Sequence, residues 1–330
     1  MESNKKLFVT VKGKKIEVDS WRDDPQSLLL HYISSFEQVD GLDQLTQLAK
    51  LKCWSKELKK ISNLEGLKNL KTLEIHHAKL EKIEGLDALS HLEKLLLDDC
   101  NFSKIEGLEH LPILKTLDIY DTNLKRISGL DALVNLEELN LYNCNISKIE
   151  GLDNLKNLKM LSLRNNDITK VEYVRHLSQL TLLDLTQNRI SEPGEIPFLT
   201  NLERLYLGKQ KGDDYRLFKG PRGTTMVPAS KITSLEPFFS LKKLERLSLS
   251  HHTLKTIKNI ELLPNLKVLD IRETVVDDLS PLKNTFVQKV LIAFSFLDNS
   301  LKEHVHEFYR AHPRFAFDVF LEANERDLYE

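Results

Sequence analysis

The phrase Leu70-Lys-Thr-Leu73-Glu-Ile75 returns 22 residues later as Leu92-Glu-Lys-Leu95-Leu-Leu97. Each copy runs on into a second phrase, such as Ile83-Glu-Gly85-Leu86-Asp-Ala-Leu89. We call the first leucine of each copy the anchor. The anchors are Leu48, Leu70, Leu92, Leu114, Leu136, Leu158, Leu180 and Leu202. A fixed period of this length predicts a solenoid, in which each repeat buries its leucines against its neighbours.

Bulk composition agrees with one long leucine core. The chain has 330 residues, 41% of them hydrophobic, and a net charge of −2. This charge argues against a general nucleic-acid binder, which needs a basic face. No apolar run is long enough to cross a bilayer, so we expect no membrane association. The first residues lack the apolar core of a secretory signal.

The three cysteines fall at buried-type positions of the repeat. Cys53 lies five residues after its anchor, and Cys100 and Cys144 lie eight residues after theirs. Their number and spacing fit neither a disulfide framework nor a zinc site. Packed thiols in a reducing cytosol are the favoured interpretation, with a reactive cysteine as the alternative, so we predict a cytoplasmic protein.

Both ends of the chain depart from the repeat. Residues 1–25 alternate apolar and polar side chains around Gly13, which predicts an N-terminal β-hairpin cap. The solenoid is predicted over 26–287, and in its degenerate first repeat His31 stands where a leucine is expected. Residues 288–330 are predicted to form a C-terminal cap, with a helix over 298–311.

An insertion interrupts the period at 211–230. The anchors Leu202 and Leu244 are 42 residues apart, one period plus 20. The extra sequence leaves the repeat just past its strand, so we expect it beside the inner face of the solenoid. Its glycines lack the spacing of a phosphate-binding loop. A loop that contacts a partner and a tolerated insertion both stay open.

The position eight residues after the anchor carries small or amide side chains. They are Ala78, Cys100, Thr122, Cys144, Asn166 and Asn188. The chain turns off the strand there, and we expect these side chains to bond the backbone of the next repeat and satisfy buried polar groups. Their predicted role is structural.

The whole pattern, L-x-x-L-x-L-x-x-[N/C/T]-x-[L/I/F]-x-x-[I/V]-x-x-L-x-x-L, is identified as a leucine-rich repeat. Its 22-residue form is similar to that of the leucine-rich regulatory subunit of protein phosphatase 1 and to bacterial internalins. The resemblance implies an α/β fold: a right-handed solenoid of about eleven repeats, capped at both ends. A parallel β-sheet would line the concave face, with 3₁₀ and turn segments on the convex face. The predicted C-terminal helix departs from the end cap expected of the phosphatase regulator.

Strand alternation predicts the binding surface. Because inward leucines occupy every second position, residues two, four and six after the anchor face the concave side, and positions seven and nine continue it. Exposed aromatic side chains among polar ones are typical of protein interfaces. The predicted partner-binding residues are Trp54, His76, His77, Asp98, Asp99, Tyr120, Asp121, Tyr142, Arg164, Arg189, Tyr206, Lys209 and Arg246.

Charge on this predicted face is uneven. The repeats from 92, 114 and 136 carry one basic and five acidic side chains, a net of −4: Lys94, Asp98, Asp99, Asp118, Asp121 and Glu138. The repeats from 202 and 244 contribute Arg204, Lys209 and Arg246, a net of +3. The segregation favours a protein partner with a matching dipolar surface. Accidental segregation on solvated faces is the alternative.

The sequence gives little support for a metal site or a catalytic site. His76, His77, Asp98 and Asp99 are predicted on adjacent strands, but a flat sheet rarely converges four metal ligands, so a hydrogen-bonded polar patch is favoured over a metal. Nucleophile-elbow and zinc-protease motifs are absent from the sequence, and neither non-repeat end has the size of a usual catalytic domain. We therefore predict no cofactor, no metal and no enzymatic activity.

The sequence thus predicts a non-enzymatic module that binds a partner protein on its concave face. The resemblance adds a narrower alternative, a regulatory subunit holding the catalytic subunit of a Ser/Thr protein phosphatase. A different alternative is a scaffold that self-associates through an imperfect cap or exposed edge. We expect a monomer unless that last alternative holds.

Overall fold

The computed structural model describes residues 8–11, 13–17, 26–211, 215–220, 223–228, 230–274, 276, 278–292 and 316–319. The chain divides into two compact units, Met1–Asn166 and Asp167–Glu330. Each unit is built on parallel strands that follow one another at intervals of a repeat. The predicted C-terminal helix at 298–311 lies outside the described residues.

The strands of the first unit are short and regularly spaced. They are β1 Phe8–Val11, β2 Lys14–Glu17, β3 Ser27–His31, β4 Val39–Asp40, β5 Lys50–Trp54, β6 Thr72–His76, β7 Lys94–Asp98, β8 Thr116–Tyr120, β9 Glu138–Tyr142 and β10 Met160–Ser162. Its parallel sheet has the order β3-β5-β6-β7-β8-β9-β10.

The second unit repeats the arrangement. Its strands are β11 Leu182–Asp184, β12 Arg204–Tyr206, β13 Tyr215–Gly220, β14 Gly223–Pro228, β15 Arg246–Ser248, β16 Val268–Asp270, β17 Lys289–Ile292 and β18 Ala316–Val319. The order of its parallel sheet is β11-β12-β15-β16-β17-β18.

The 22-residue period sets the strand register. Leu73 pairs with Leu95, and Leu117 pairs with Leu139, so equivalent residues stand side by side. Because strand side chains alternate, the residues three and five after each anchor point the same way in every repeat. They are buried together with the anchors and form the leucine core. The opposite side of each sheet, called the polar sheet face below, carries positions two, four and six.

Between strands the chain returns through turns and short 3₁₀ helices. The 3₁₀ helices are Phe36–Gln38, Leu42–Gln44, Ile196–Phe198, Glu236–Phe238, Ile260–Leu262 and Ser280–Asn284. Gly129 shows why glycine recurs in the second phrase: its φ is +72°, and a Cβ there would overlap the carbonyl oxygen of Ile105 in the preceding repeat. Left-handed φ and close backbone approach both require glycine.

A left-handed residue follows each strand from β6 to β9, seven places after the anchor. His77, Asp99, Asp121 and Asn143 have φ between 51° and 57°. The backbone N–H of each donates to a carbonyl on the next strand, as in Asp121 to Tyr142 at 3.1 Å. Asn, Asp and His tolerate this conformation better than most residues, which explains their recurrence here.

The N-terminal segment pairs with the first repeat through its backbone. Strands β1 and β2 form an antiparallel hairpin, and β1 also pairs with β4. The predicted register of the first repeat was wrong at His31, which is exposed and pairs with Trp54. Its buried leucines are Leu28 and Leu30. The misalignment arises because Leu28 pairs with Leu51, so this repeat is one residue longer than the others.

The insertion forms its own hairpin. Strands β13 and β14 pair antiparallel, with Gly220 opposite Gly223. The flanking strands β12 and β15 pair directly, so the extra residues leave the parallel sheet uninterrupted. The predicted parallel sheet with short 3₁₀ and turn connections is confirmed, whereas the cap boundaries stay predictions. None of the helices in the described residues has the length and apolarity of a membrane span.

Candidate functional site

A column of buried polar side chains lies eight residues after the anchors. In the first unit, Asn166 donates from Nδ2 to the Leu141 carbonyl at 2.7 Å, and its Oδ1 accepts the backbone N–H groups of Cys144 and Ile146 at 3.1 and 2.9 Å. The predicted direction was wrong: these bonds reach the preceding repeat, not the next. The side chain points back to that repeat because its turn leaves buried N–H groups in need of acceptors.

In the second unit, one of the equivalent positions carries an imidazole. Gln210 reproduces the amide bonds, donating to the Leu185 carbonyl at 2.9 Å and accepting from the Ile190 N–H at 2.8 Å. At the next equivalent position His252 is fully buried. Its Nε2 lies 2.9 Å from the Leu207 carbonyl, which only accepts, so this nitrogen carries the proton.

The other ring nitrogen of His252 completes the network. Nδ1 accepts the hydroxyl of Ser230 at 2.6 Å, and Ser230 Oγ in turn accepts the N–H of Ile232 at 3.0 Å. Burial, only partly opposed by the Leu207 carbonyl, lowers the pKa of His252 to about 4. The imidazole is therefore neutral and structural at physiological pH, a role that sequence reasoning missed.

The cysteines occupy the positions predicted for them. Cys53, Cys100 and Cys144 are buried and unbridged. Burial raises the pKa of Cys53 and Cys100 to about 12 and that of Cys144 to about 11. Thiols held this far from the thiolate form are poor nucleophiles.

The middle position on the polar sheet face is buried in six of the strands, contrary to expectation. The buried residues four after an anchor are Glu74, Asp118, Asp184, Tyr206, Ser248 and Asp270. Tyr206, predicted as an exposed aromatic, is only 6% accessible. It pairs in register with Asp184 and Ser248 on the two neighbouring strands. Tyr206 therefore does not share the partial exposure of Tyr120 and Tyr142.

Buried carboxylates on this face are neutralised by fixed cations. Glu74 lies 2.5 Å from Lys52 Nζ and 3.4 Å from Lys50 Nζ. Burial works against its charge, but the bonds to His76 and Lys52 outweigh it and lower the pKa of Glu74 to about 2. Asp118 likewise pairs with Lys94 at 3.0 Å.

On β5, β6 and β7, the residues six places after the anchors contact one another. Trp54, 42% exposed, stacks on His76 with ring centroids 4.5 Å apart. His76 Nδ1 lies 3.1 Å from Asp98 Oδ2. Burial opposes protonation, yet the hydrogen bonds to Glu74 and Asp98 outweigh it and raise the pKa of His76. Trp54, His76 and Asp98 are thus brought together on adjacent strands, and their role in binding a partner stays a prediction.

The left-handed residues form a second row beside this one. His77 Nδ1 lies 2.9 Å from Asp99 Oδ2. Further along, Asn143 Nδ2 donates to Asp121, and Asn165 Nδ2 donates to Asn143 Oδ1 at 2.8 Å. His76 therefore contacts Glu74 and Asp98, whereas His77 contacts Asp99. Among the described residues, no three His, Cys, Asp or Glu side chains converge on a common metal position.

Two tyrosines form the centre of the first unit's polar sheet face. The rings of Tyr120 and Tyr142 contact edge to face at 6.4 Å, and Arg164 Cζ lies 5.9 Å from the Tyr142 ring centroid. Burial and the Asp118 carboxylate raise the pKa of Tyr120, so its phenol stays protonated. Both tyrosines keep partial exposure.

Asn140, in the middle of β9, was missed by sequence reasoning. Its Nδ2 donates to the Tyr120 hydroxyl at 3.2 Å. Its Oδ1 is buried and has no hydrogen-bond partner in the described part of the chain. The signal was available, because Asn140 lies four residues after its anchor, as Asp118 does.

The second unit carries the basic candidates. Arg189 Nε lies 3.2 Å from Asp167 Oδ1. Arg246 lies against Tyr206, whose pKa is raised by burial against the opposing effect of Arg246 and Arg204. Lys209 holds the left-handed seventh position, with φ 54°. His251 Nε2 contacts Glu273 Oε2 on the following repeat at 2.5 Å, an acidic neighbour that was also missed.

Comparison with known proteins identifies the fold. The family pattern described as Leucine Rich repeats (2 copies) matches residues 134–176. The fold is a leucine-rich-repeat solenoid. A Leptospira interrogans leucine-rich-repeat protein aligns with TM-score 0.61 and 20% identity, over 84% of this chain and 79% of that one. The internalin InlF of Listeria monocytogenes aligns with TM-score 0.54 and 21% identity, over 80% and 86%.

A third similar solved structure is a complex. The structure of TLR13 in complex with ssRNA13 aligns with TM-score 0.59 and 20% identity, over 81% of this chain and 42% of TLR13. A search of curated protein sequences finds no match. At these identities the structural likeness establishes the leucine-rich-repeat fold and no more.

Proposed function

We propose that the solenoid is a non-enzymatic protein-interaction module that binds a partner protein on the polar sheet face of its first unit. The observation that carries the proposal is the Tyr120–Tyr142 pair, partly exposed between acidic side chains at the centre of that face. Tyrosines combine a large contact area with little side-chain entropy, and interfaces concentrate them.

Rigid presentation supports binding. Strands β7, β8 and β9 of this face are fixed by parallel pairing on both sides and by a leucine core beneath them. A surface that is ordered before docking loses little conformational entropy when it binds. The buried ion pair of Asp118 with Lys94 and the hydrogen bond from Asn140 to Tyr120 hold the centre of the face in place.

Narrower functions stay proposals. A phosphatase regulatory subunit and a self-associating scaffold would both use an exposed face or edge, and no feature of the described residues favours either. The buried, unbridged cysteines support residence in a reducing compartment such as the cytoplasm. We do not extend nucleic-acid binding to this chain, because the proposed face is acidic and the net charge is −2.

Affinity capture from the native cell's lysate tests the proposal. Wild-type protein is compared with Tyr120→Ala/Tyr142→Ala and with a control, Tyr173→Ala/Phe198→Ala, which removes two exposed aromatics from segments outside the strands. We expect a protein retained by wild type and control to be lost with the Tyr120/Tyr142 variant. Equal retention by all three would exclude this face as the binding site.

A further inference from the structure

We infer that the partner segment bound on this face is basic, presenting lysine or arginine side chains to an acidic tyrosine patch on β7, β8 and β9. The patch consists of Asp98, Tyr120, Asp121, Glu138 and Tyr142. This inference rests on the proposed function and specifies the chemistry of the partner.

Compensating positive charge is unevenly distributed on this face. Buried carboxylates on the face are neutralised by lysines, as Asp118 is by Lys94. The outer carboxylates Asp98, Asp121 and Glu138 form no ion pair with lysine or arginine within the described residues. Asp98 has only the His76 imidazole, Asp121 the amide of Asn143, and Glu138 the hydroxyl of Thr116 at 3.4 Å. The face therefore keeps a negative potential that a basic partner would complement.

The aromatic pair Tyr120 and Tyr142 lies within this negative potential. Arg164 Cζ already lies 5.9 Å from the Tyr142 ring centroid, within the range of a cation–π contact. The ring thus attracts a guanidinium within the protein itself. The edge-to-face arrangement of Tyr120 and Tyr142 places two rings among the carboxylates, a combination that suits a long cationic side chain.

The dimensions fit a short extended segment. From β7 to β9 the patch spans two strand spacings, roughly 10 Å, which about three extended residues cross. Alternate side chains of such a segment point to the same side, so two cations can reach the patch from one strand-like peptide. A nucleic acid is excluded as the occupant by the sign of the charge.

Fluorescence anisotropy with a defined probe tests the inference. The probe is a labelled peptide with lysine and arginine alternating with serine, and the matched probe carries glutamate in place of each basic residue. Wild-type protein is compared with Asp98→Asn/Asp121→Asn/Glu138→Gln. The control Asp87→Asn/Glu109→Gln/Asp131→Asn removes the same charge from exposed positions outside the strands.

We expect the basic peptide to bind wild type and control alike, about tenfold or more weakly to the patch variant, and more weakly in salt. The glutamate peptide should not bind. Equal losses in patch variant and control, or no binding by wild type, would overturn the inference. So would a wild-type dimer in light scattering that the patch variant dissociates, since a second copy would then occupy the face.

The lysate capture separates this inference from the proposed function. If the captured protein is lost with Tyr120→Ala/Tyr142→Ala and retained by the patch variant, the tyrosine surface binds a partner but the basic chemistry is wrong. If both variants lose it and the control keeps it, both claims are supported.

Discussion

At the scale of the residue, His252 shows how the repeat tolerates an unusual side chain. Amides fill the buried column at Asn166, Asn188 and Gln210, and the imidazole of His252 takes their place. Ser230 links this ring to the backbone: its Oγ accepts the N–H of Ile232, and its hydroxyl donates to Nδ1 of His252. The neutral ring satisfies every group, whereas a protonated ring would place a second proton against the Ser230 hydroxyl. Stability should therefore depend on pH.

The first prediction is an acid-labile second unit. The folded-state pKa of His252, about 4, lies below its ordinary value of 6.5, so protons bind preferentially to the unfolded chain. This contribution is fully present above pH 6.5 and is lost as pH falls toward 4, by on the order of 3 kcal/mol. Urea unfolding between pH 7 and 4 should show less acid loss in His252→Gln. The control His110→Gln, at an exposed position, should follow wild type; identical slopes in all three proteins would refute the assignment.

The second prediction concerns two substitutions at the same repeat position, which should change the free energy of unfolding in opposite directions. Gly129 and Tyr173 both lie fifteen residues after an anchor, with φ of 72° and 59°. Gly129→Ala places a Cβ against the Ile105 carbonyl oxygen and should reduce the free energy of unfolding by about 1–3 kcal/mol. Tyr173→Gly relieves a left-handed tyrosine that is 68% exposed and should raise it by up to about 1 kcal/mol. Denaturant melts measure both, and a stable Gly129→Ala protein would contradict this account.

At the scale of the element, the buried column joins successive turns. Asn166→Ala leaves the N–H groups of Cys144 and Ile146 and the Leu141 carbonyl buried without partners. We expect a loss of about 2–4 kcal/mol in unfolding free energy. The matched control is Asn157→Ala, an exposed asparagine with one bond to the Val134 carbonyl, which should lose well under half as much. Equal losses would mean that the column is not the main stabilising element of the turn.

The insertion hairpin permits a further prediction at this scale. Deleting residues 211–230 places Lys231 and Ile232 directly after Gln210, as Arg189 and Ile190 follow Asn188, and restores the 22-residue period. Because β12 and β15 already pair, the parallel sheet needs no rearrangement. The deletion also removes Ser230, the hydrogen-bond donor to His252 Nδ1, so we expect an unchanged β-sheet circular dichroism spectrum and a cooperative thermal transition at a lower temperature. Loss of the transition would show that the hairpin is part of the unit's folding core.

Some of these features could be predicted from the sequence alone, and others could not. The leucine period predicts the strands, their register and the buried positions, because identical repeats can stack in one way only. It also places Trp54, His76 and Tyr120 on one face. It does not predict the burial of Tyr206, which depends on the sizes of side chains on both neighbouring strands, nor the structural role of His252. In the first repeat, one extra residue was enough to misplace His31.

At the scale of the whole molecule, each unit has its own polar sheet face, and the two differ in charge. The first carries Asp98, Asp121 and Glu138 around two tyrosines. The second carries Arg189, Lys209 and Arg246, with its tyrosine buried. This contrast favours the first unit for an aromatic-centred interface. The leucine core supplies stability to both, so substitutions on the faces should alter binding without unfolding the protein.

Photo-crosslinking from the face itself tests the central claim most directly. A photoreactive phenylalanine analogue replaces Thr116, between Lys94 and Glu138 on the polar sheet face, or Val134, a half-exposed residue outside the strands. After irradiation in the native cell's lysate, the account predicts one discrete heavier adduct from position 116 and none from position 134. An adduct from position 134 alone, or the same adducts from both positions, would contradict binding on this face.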